Sequence, residues 1–215
     1  MKNVLLISAL LFLSVHSFAQ IRQPIVIETK NTAIVLTVAA NQRLLQSYIG
    51  KKLAASDYAQ MNGGREVYLT AGMENQFESA VRMIHTDGNP SLELRYISHK
   101  VTDTVNCQKT EIILKDPAYP VEVRLYYMSY FNEDVIKSWT EIIHQEKKNV
   151  LLTQYASSML HFNADEYWLT QFHGDWAREM NMLEEKLTNG VKSIESKLGA
   201  RTNFYQTQVF FVSMN

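Results

Sequence analysis

Val121-Glu122-Val123-Arg124-Leu125-Tyr126-Tyr127 is the stretch that decides the fold class. Val121, Val123, Leu125 and Tyr127 fall on one parity, and Glu122, Arg124 and Tyr126 fall on the other. Successive side chains of an extended chain point to opposite faces, so this pattern reads as a strand with one buried face. The alternation recurs outward along the chain. Leu92, Leu94, Tyr96 and Ser98 alternate with Glu93, Arg95 and Ile97, and Ile34, Leu36 and Val38 alternate ahead of Asn41. Ile112 and Leu114 continue it until Asp116-Pro117 breaks the run. Further β-rich runs cover 134–144, 150–160, 167–172, 191–197 and 208–213.

Turn signals separate these runs: Asn62-Gly63-Gly64, Asp87-Gly88-Asn89-Pro90, Asp116-Pro117, Asn132-Glu133-Asp134, Glu146-Lys147-Lys148-Asn149 and Asn189-Gly190. Many strands joined by short polar turns predict an all-β antiparallel sandwich. One segment stays open between two readings. Residues 178–187 (R-E-M-N-M-L-E-E-K-L) are rich in good helix formers, yet a β context can make them a strand whose exposed face carries the charges.

The N-terminus reads as an address. Lys2 and Asn3 precede a mostly apolar run over 4–15, and Ser17-Phe18-Ala19 supplies the small residues that a signal peptidase reads. Cleavage between Ala19 and Gln20 is expected, giving an exported protein, periplasmic or secreted. The run is shorter than the ~20 apolar residues of a membrane span. An uncleaved anchor is the alternative, and no membrane span is expected after cleavage. Residues 20–215 then form one domain, long enough for a real core.

Lys plus Arg number 21 and Asp plus Glu 22, a balance that argues against nucleic acid or an anionic membrane as partner. The single cysteine, Cys107, cannot form an internal disulfide, so the fold must rest on its apolar core. Its setting in the polar stretch 103–109 reads as a turn holding an idle thiol.

Residues for chemistry are sparse. The six histidines form no His-x-His or His-x3-His pair and have no cysteine support, so no metal or cofactor is indicated. There is no Gly-x-Ser-x-Gly elbow, and Gly63-Gly64 leads into Arg65-Glu66 rather than a phosphate loop. Asp165 with Asp175 or Glu179 could serve as a glycosidase pair, but a chain with 22 carboxylates contains such pairs by chance. The aromatic cluster around Tyr167-Trp168 and Phe172-His173-Gly174-Asp175-Trp176 is more informative. It could present flat faces to a sugar or fill the sandwich core; Trp168 reads as core, while Trp176, beside a glycine and charges, remains open to either role.

The order of motifs resembles the N-terminal domain of glycoside hydrolase family 36 α-galactosidases, in the form found in Bacteroidetes-type bacteria. Tyr48-Ile49-Gly50-Lys51-Lys52-Leu53 is similar to the family's Y-W-G-K-x-L. Asp87-Gly88 with Leu94-Arg95-Tyr96 and His99-Lys100 resembles D-G…L-R-Y-x-x-H-R, and Glu133-Asp134-Val135-Ile136 resembles the turn before a long strand. Gly174-Asp175-Trp176-Ala177-Arg178-Glu179 looks like G-A-W-A-R-E, and Glu195-Ser196-Lys197-Leu198-Gly199-Ala200 looks like E-S-R-R-G-A. The resemblance implies an antiparallel β-supersandwich of the galactose-mutarotase type, incomplete at its C-terminal end and cut before the catalytic barrel. Neither catalytic-barrel motif, D-D-G-W or K-x-D, occurs in the 215 residues, so no catalytic residue is assigned.

In the family, a loop of this domain reaches toward a neighbouring subunit's sugar site. The matching stretch is 54–64, shorter here, and the resemblance implies Asp57, Tyr58 and Arg65 as substrate-contacting candidates; Trp176, from the aromatic cluster, is the fourth candidate. The family's G-A-S-S-H-Q segment corresponds to Gly199-Ala200-Arg201-Thr202-Asn203-Phe204, which has no histidine. The implied function is that of a non-catalytic module of an exported α-galactosidase, acting on α-galactoside saccharides through the complete enzyme and assembling as a homo-oligomer. A free-standing carbohydrate-binding sandwich is the second reading. A supersandwich epimerase, with His173 and Glu179 as acid–base pair, is the third.

Overall fold

The computed structural model describes residues 23–72, 78–175, 177–195 and 210–214. The expected leader over 1–19, Trp176 and the 196–200 motif lie outside the described residues. Two compact units divide the chain, Met1–His161 and Phe162–Asn215.

In the first unit the strands are β1 (Ile25–Glu28), β2 (Thr32–Val38), β3 (Leu44–Lys51), β4 (Arg65–Glu66), β5 (Val81–Ile84), β6 (Arg95–Asp103), β7 (Cys107–Lys115), β8 (Val121–Tyr130), β9 (Val135–His144) and β10 (Leu151–Tyr155). The short helix α1 (Ala55–Tyr58) lies between β3 and β4. β1-β2-β3-β4 make one antiparallel sheet in chain order, and β6-β7-β8-β9 make another. β5 pairs with β10 in a third, two-stranded sheet.

The parity read from residues 121–127 is the parity of burial. Val121, Val123, Leu125 and Tyr127 on β8 are all buried, as are Ile112 and Leu114 on β7. They share one cluster with Ile25, Ile27, Ile34, Leu36 and Leu44 of the first sheet, so the two sheets close over a common core. Burying an aliphatic side chain of this size stabilises the fold by about 1.5–3 kcal/mol. The outward face of β8 departs from the simple pattern at one place. Tyr126 is only 5% exposed. Its ring stacks on that of Trp139 directly across on β9, with centroids 4.8 Å apart, and Lys109 Nζ stands 4.5 Å from the Tyr126 ring centroid. A cross-strand aromatic pair capped by a cation thus covers a residue on the polar face.

Three expectations are corrected. Leu92 and Leu94 are core residues, but β6 begins only at Arg95. The Leu92 N–H donates to Ala71 O and the Glu93 N–H to Asp116 Oδ2, so these backbones are satisfied outside a ladder. The run over 150–160 is a strand only as far as Tyr155. Beyond it, the Ala156 carbonyl accepts from Tyr68 Oη and the Ser157 carbonyl from Thr140 Oγ1, side chains taking the place of a neighbouring strand. The described part of the 191–197 run, Val191 to Glu195, is not a strand; Val191 is 93% exposed, so its apolar side chain has no sheet to pack on. The residues left open between helix and strand, 178–187, resolve to a strand over Arg178–Lys186.

That strand belongs to the second unit, a sheet in the order β12-β11-β13, where β11 is Tyr167–Asp175, β12 is Arg178–Lys186 and β13 is Phe210–Met214. Good helix formers become strand because β12 pairs along most of β11, from Trp168↔Lys186 to Asp175↔Arg178. Leu169 and Gln171 are buried on β11, and Phe172 meets Phe211 of β13 edge to face at 6.1 Å.

Candidate functional site

The loop between β3 and β4 holds Asp57 and Tyr58, Arg65 opens β4 directly after it, and local forces fix the loop's shape at both ends. At its start, Tyr48-Ile49-Gly50 leads into Lys51, the last residue of β3. A Cβ on Gly50 would lie 2.6 Å from Tyr48 Oη, which donates to Lys51 O at 2.7 Å. Tyr58 then turns inward. It is buried in a small cluster with Ala33 and Val35 of β2, and its hydroxyl accepts the Leu53 N–H at 2.8 Å. Tyr58 therefore anchors α1. Asp57, next to it in the helix, is exposed.

At the far end, the Gly63 carbonyl accepts from Ser47 Oγ at 2.6 Å. Gly64 has φ +118°, and a Cβ there would lie 2.1 Å from Gln46 O, so only glycine fits this passage. Arg65 follows as the exposed first residue of β4, paired in register with Gln46. Asp57 thus stands exposed in α1 next to the buried Tyr58, and Arg65 stands exposed where the pinned loop enters β4. Trp168 is half-buried, Asp165 and His173 are exposed, and the side chains of Asp175 and Glu179 lie outside the described residues, as does Trp176.

The loop's floor holds groups that no motif signalled. Gln46 Nε2 donates to the His161 carbonyl at 2.5 Å, and its Oε1 accepts the His161 N–H at 3.1 Å. The side-chain amide thereby pairs with a peptide group 115 positions away, as a neighbouring strand would. His161 Nε2 donates in turn to Glu66 O at 2.8 Å. The Glu66 carboxylate, 3.3 Å from Arg43 Nη1, is held above the usual glutamate range mainly by burial, with Glu93 adding to the shift against the pull of Arg43. These links join residues far apart in sequence, and such partners leave no spacing signature.

An exposed carboxylate and guanidinium can hydrogen-bond neighbouring sugar hydroxyls. They offer recognition rather than bond cleavage. Among the described residues no cluster of three or more His, Cys, Asp or Glu could hold a metal ion.

The family model of the glycosyl hydrolase family 36 N-terminal domain matches residues 37–215. The chain belongs to this family. Among curated relatives it is 24% identical over 148 residues to the probable alpha-galactosidase G of Emericella nidulans, covering 62% of this chain and 20% of that protein. Among solved structures, the galactosidase domain of the alpha-galactosidase-sucrose kinase AgaSK superposes with a TM-score of 0.79 at 19% identity, over 89% of this chain and 32% of that one. The GH36 alpha-galactosidase AgaB of Geobacillus stearothermophilus gives 0.76 at 19% identity, over 87% and 30%. The chain spans about a fifth of the curated relative and less than a third of these solved enzymes. At these identities the structural likeness establishes a shared sandwich fold. The nearly all-β antiparallel architecture of this family 36 N-terminal domain is the one expected from the alternation in its sequence.

Proposed function

We propose that this family 36 domain serves as the non-catalytic N-terminal sandwich of an exported α-galactosidase that hydrolyses terminal α-galactosyl residues. In that enzyme it packs on the catalytic barrel, supports oligomer assembly and lends the 54–64 loop to one rim of a sugar site. The observation that carries the reading is the family match across 37–215, in a chain that contains neither D-D-G-W nor K-x-D. The pinned loop supports the role assigned to it, since Asp57 and Arg65 are exposed on a backbone that Tyr58 and Gly64 hold in place. The apolar run and small-residue motif over 1–19, read as a leader, support export.

Residues 20–215, expressed and assayed on p-nitrophenyl α-galactoside, should give no turnover; hydrolysis above background would overturn the non-catalytic assignment. Titration with galactose and raffinose addresses the free-standing binding module, which predicts saturable binding by this chain alone. Reading the gene past codon 215 should reveal an in-frame continuation into D-D-G-W. Sequencing the N-terminus of the exported protein should return Gln20; an intact Met1 on exported material would contradict the cleavage site.

A further inference from the structure

β6 is exposed at every residue except Tyr96. It is the terminal strand of its sheet, and β7 is its partner. The hairpin turn tells which way its backbone points. The Thr104 N–H donates to Cys107 O at 2.8 Å, and bonded pairs alternate along an antiparallel ladder. Ser98, Lys100 and Thr102 therefore turn their N–H and C=O groups to β7, while His99, Val101 and Asp103 turn theirs to the open edge. The start of that edge is covered, since the Tyr96 N–H donates to Gln42 O at 2.7 Å, and a bulge follows between Tyr96 and Ser98. Beyond the bulge, the edge groups of His99, Val101 and Asp103 meet no strand among the described residues. A regular edge of this kind is a template for one more strand.

The side chains say which strand fits. Two copies of β6, paired antiparallel about Val101, set Val101 against Val101 and, on either side, His99 against Asp103 of the second copy. Val101 is 42% exposed and gains an apolar neighbour. Tyr96 Oη bonds His99 Nδ1 at 2.7 Å, which leaves Nε2 to donate. Gln108 Nε2 donates to Asp103 Oδ1 at 2.8 Å, which leaves Oδ2 to accept. Other registers fit worse. Centring the pair on Lys100 or on Asp103 opposes like charges, centring it on His99 draws in the bulge, and centring it on Thr102 sets Asp103 against Val101.

We propose that the open edge of β6 is a self-association site, where a second copy of this chain adds its own β6 about a two-fold axis at Val101. Such an interface is isologous, each copy giving the same three residues. It deepens the oligomer assembly proposed above by naming a surface. It rests on the edge itself, so its loss would leave the non-catalytic assignment, measured by turnover, untouched.

The test follows the full chain by sedimentation and by amide hydrogen exchange from about 10 μM to about 1 mM. A short six-bond ladder corresponds to a dissociation constant on the order of 0.1 mM. The expected result is a monomer when dilute and a dimer when concentrated, with the His99, Val101 and Asp103 amides exchanging fast in the first and slowly in the second. A monomer throughout overturns the proposal. So does slow exchange of these amides at every concentration, which would mean that the chain's own residues cover the edge. Val101→Pro removes an outward N–H and none that faces β7, so it should weaken the dimer at least about tenfold; an unchanged dimer would place the interface elsewhere. Should that variant fail to fold, a charge exchange between exposed residues remains. His99→Asp and Asp103→His should each weaken association about tenfold, and the two together should restore it to within about threefold. A double variant no better than either single one would overturn the register.

Discussion

Asp134 occupies the left-handed region at φ +56° in the turn before β9, and its carboxylate accepts from Thr29 Oγ1 and from the N–H and Nδ2 of Asn31. It fastens the β8–β9 turn to the β1–β2 turn. These hydrogen bonds, Thr29's first and then Asn31's, hold its carboxyl below the usual aspartate range. A folded-state value below the unfolded one gives stability that is complete above the ordinary range and is lost as pH falls through the folded value. Asp134→Asn keeps a residue that tolerates the backbone and removes the charge. Its melting temperature should be lower than that of the native chain at pH 7, with the gap closing in acid; a constant gap would contradict the assignment. Gly64 gives a second residue-scale prediction. A Cβ would meet the Gln46 carbonyl at 2.1 Å, so Gly64→Ala should cost at least about 2 kcal/mol in chemical denaturation. Gly63→Ala, at φ +72° with nothing within 4 Å of its Cβ, should cost about 1 kcal/mol. The pair also shows what sequence can tell: Asn62-Gly63-Gly64 announces a turn, but which glycine is sterically required depends on a strand the turn itself positions.

The strands whose alternation is cleanest are read correctly, because parity follows from backbone geometry alone. Ile112 and Val123 lie where that reading puts them, at 0% exposure. Ile112→Ala should cost about 2–5 kcal/mol, measured by denaturant unfolding. Apolar periodicity reports burial, however, and not pairing. Leu92 and Leu94 are buried but have no ladder, and Val191 has the composition of a strand with nothing to lie against. The 178–187 segment shows the converse, since hydrogen bonds to β11 override its helical preference. Links between elements are the least legible part. The Asp87-Gly88-Asn89 turn is visible in the sequence, but Tyr119 Oη donating to Asp87 and accepting from Asn89 is not. Nor is the contact of buried His85 Nδ1 with Glu146 Oε1 at 2.7 Å, beside a Tyr119 ring stacked 3.6 Å from the imidazole. Burial would raise the Glu146 carboxyl, but hydrogen bonds from His85 and Thr86 outweigh it and bring the value down to about 2. The link should therefore stabilise the fold above the ordinary glutamate range and fail as pH approaches about 2. Glu146→Gln should lower the melting temperature at pH 7 and converge with the native chain at low pH.

Across the whole molecule, the described residues make two units, each with its own sheet pairing. The core of the first was legible from three or four alternating runs. The candidate loop was legible only through family resemblance, because Asp57 and Arg65 carry no pattern of their own. The cleft between β2, β3, β8 and β9 was not legible at all, since only the folded chain brings Ile34, Ile49, Ile136 and Leu160 around one space. The Gln46–His161 pair has one further consequence. A side-chain amide that grips both the N–H and the carbonyl of a peptide group shields that group from solvent catalysts as a strand would. In deuterated buffer the His161 amide should exchange slowly although it belongs to no strand, on the timescale of β3 rather than of the irregular chain around it. Gln46→Leu should release it to rapid exchange, making one glutamine the timer for the last residue of the first unit.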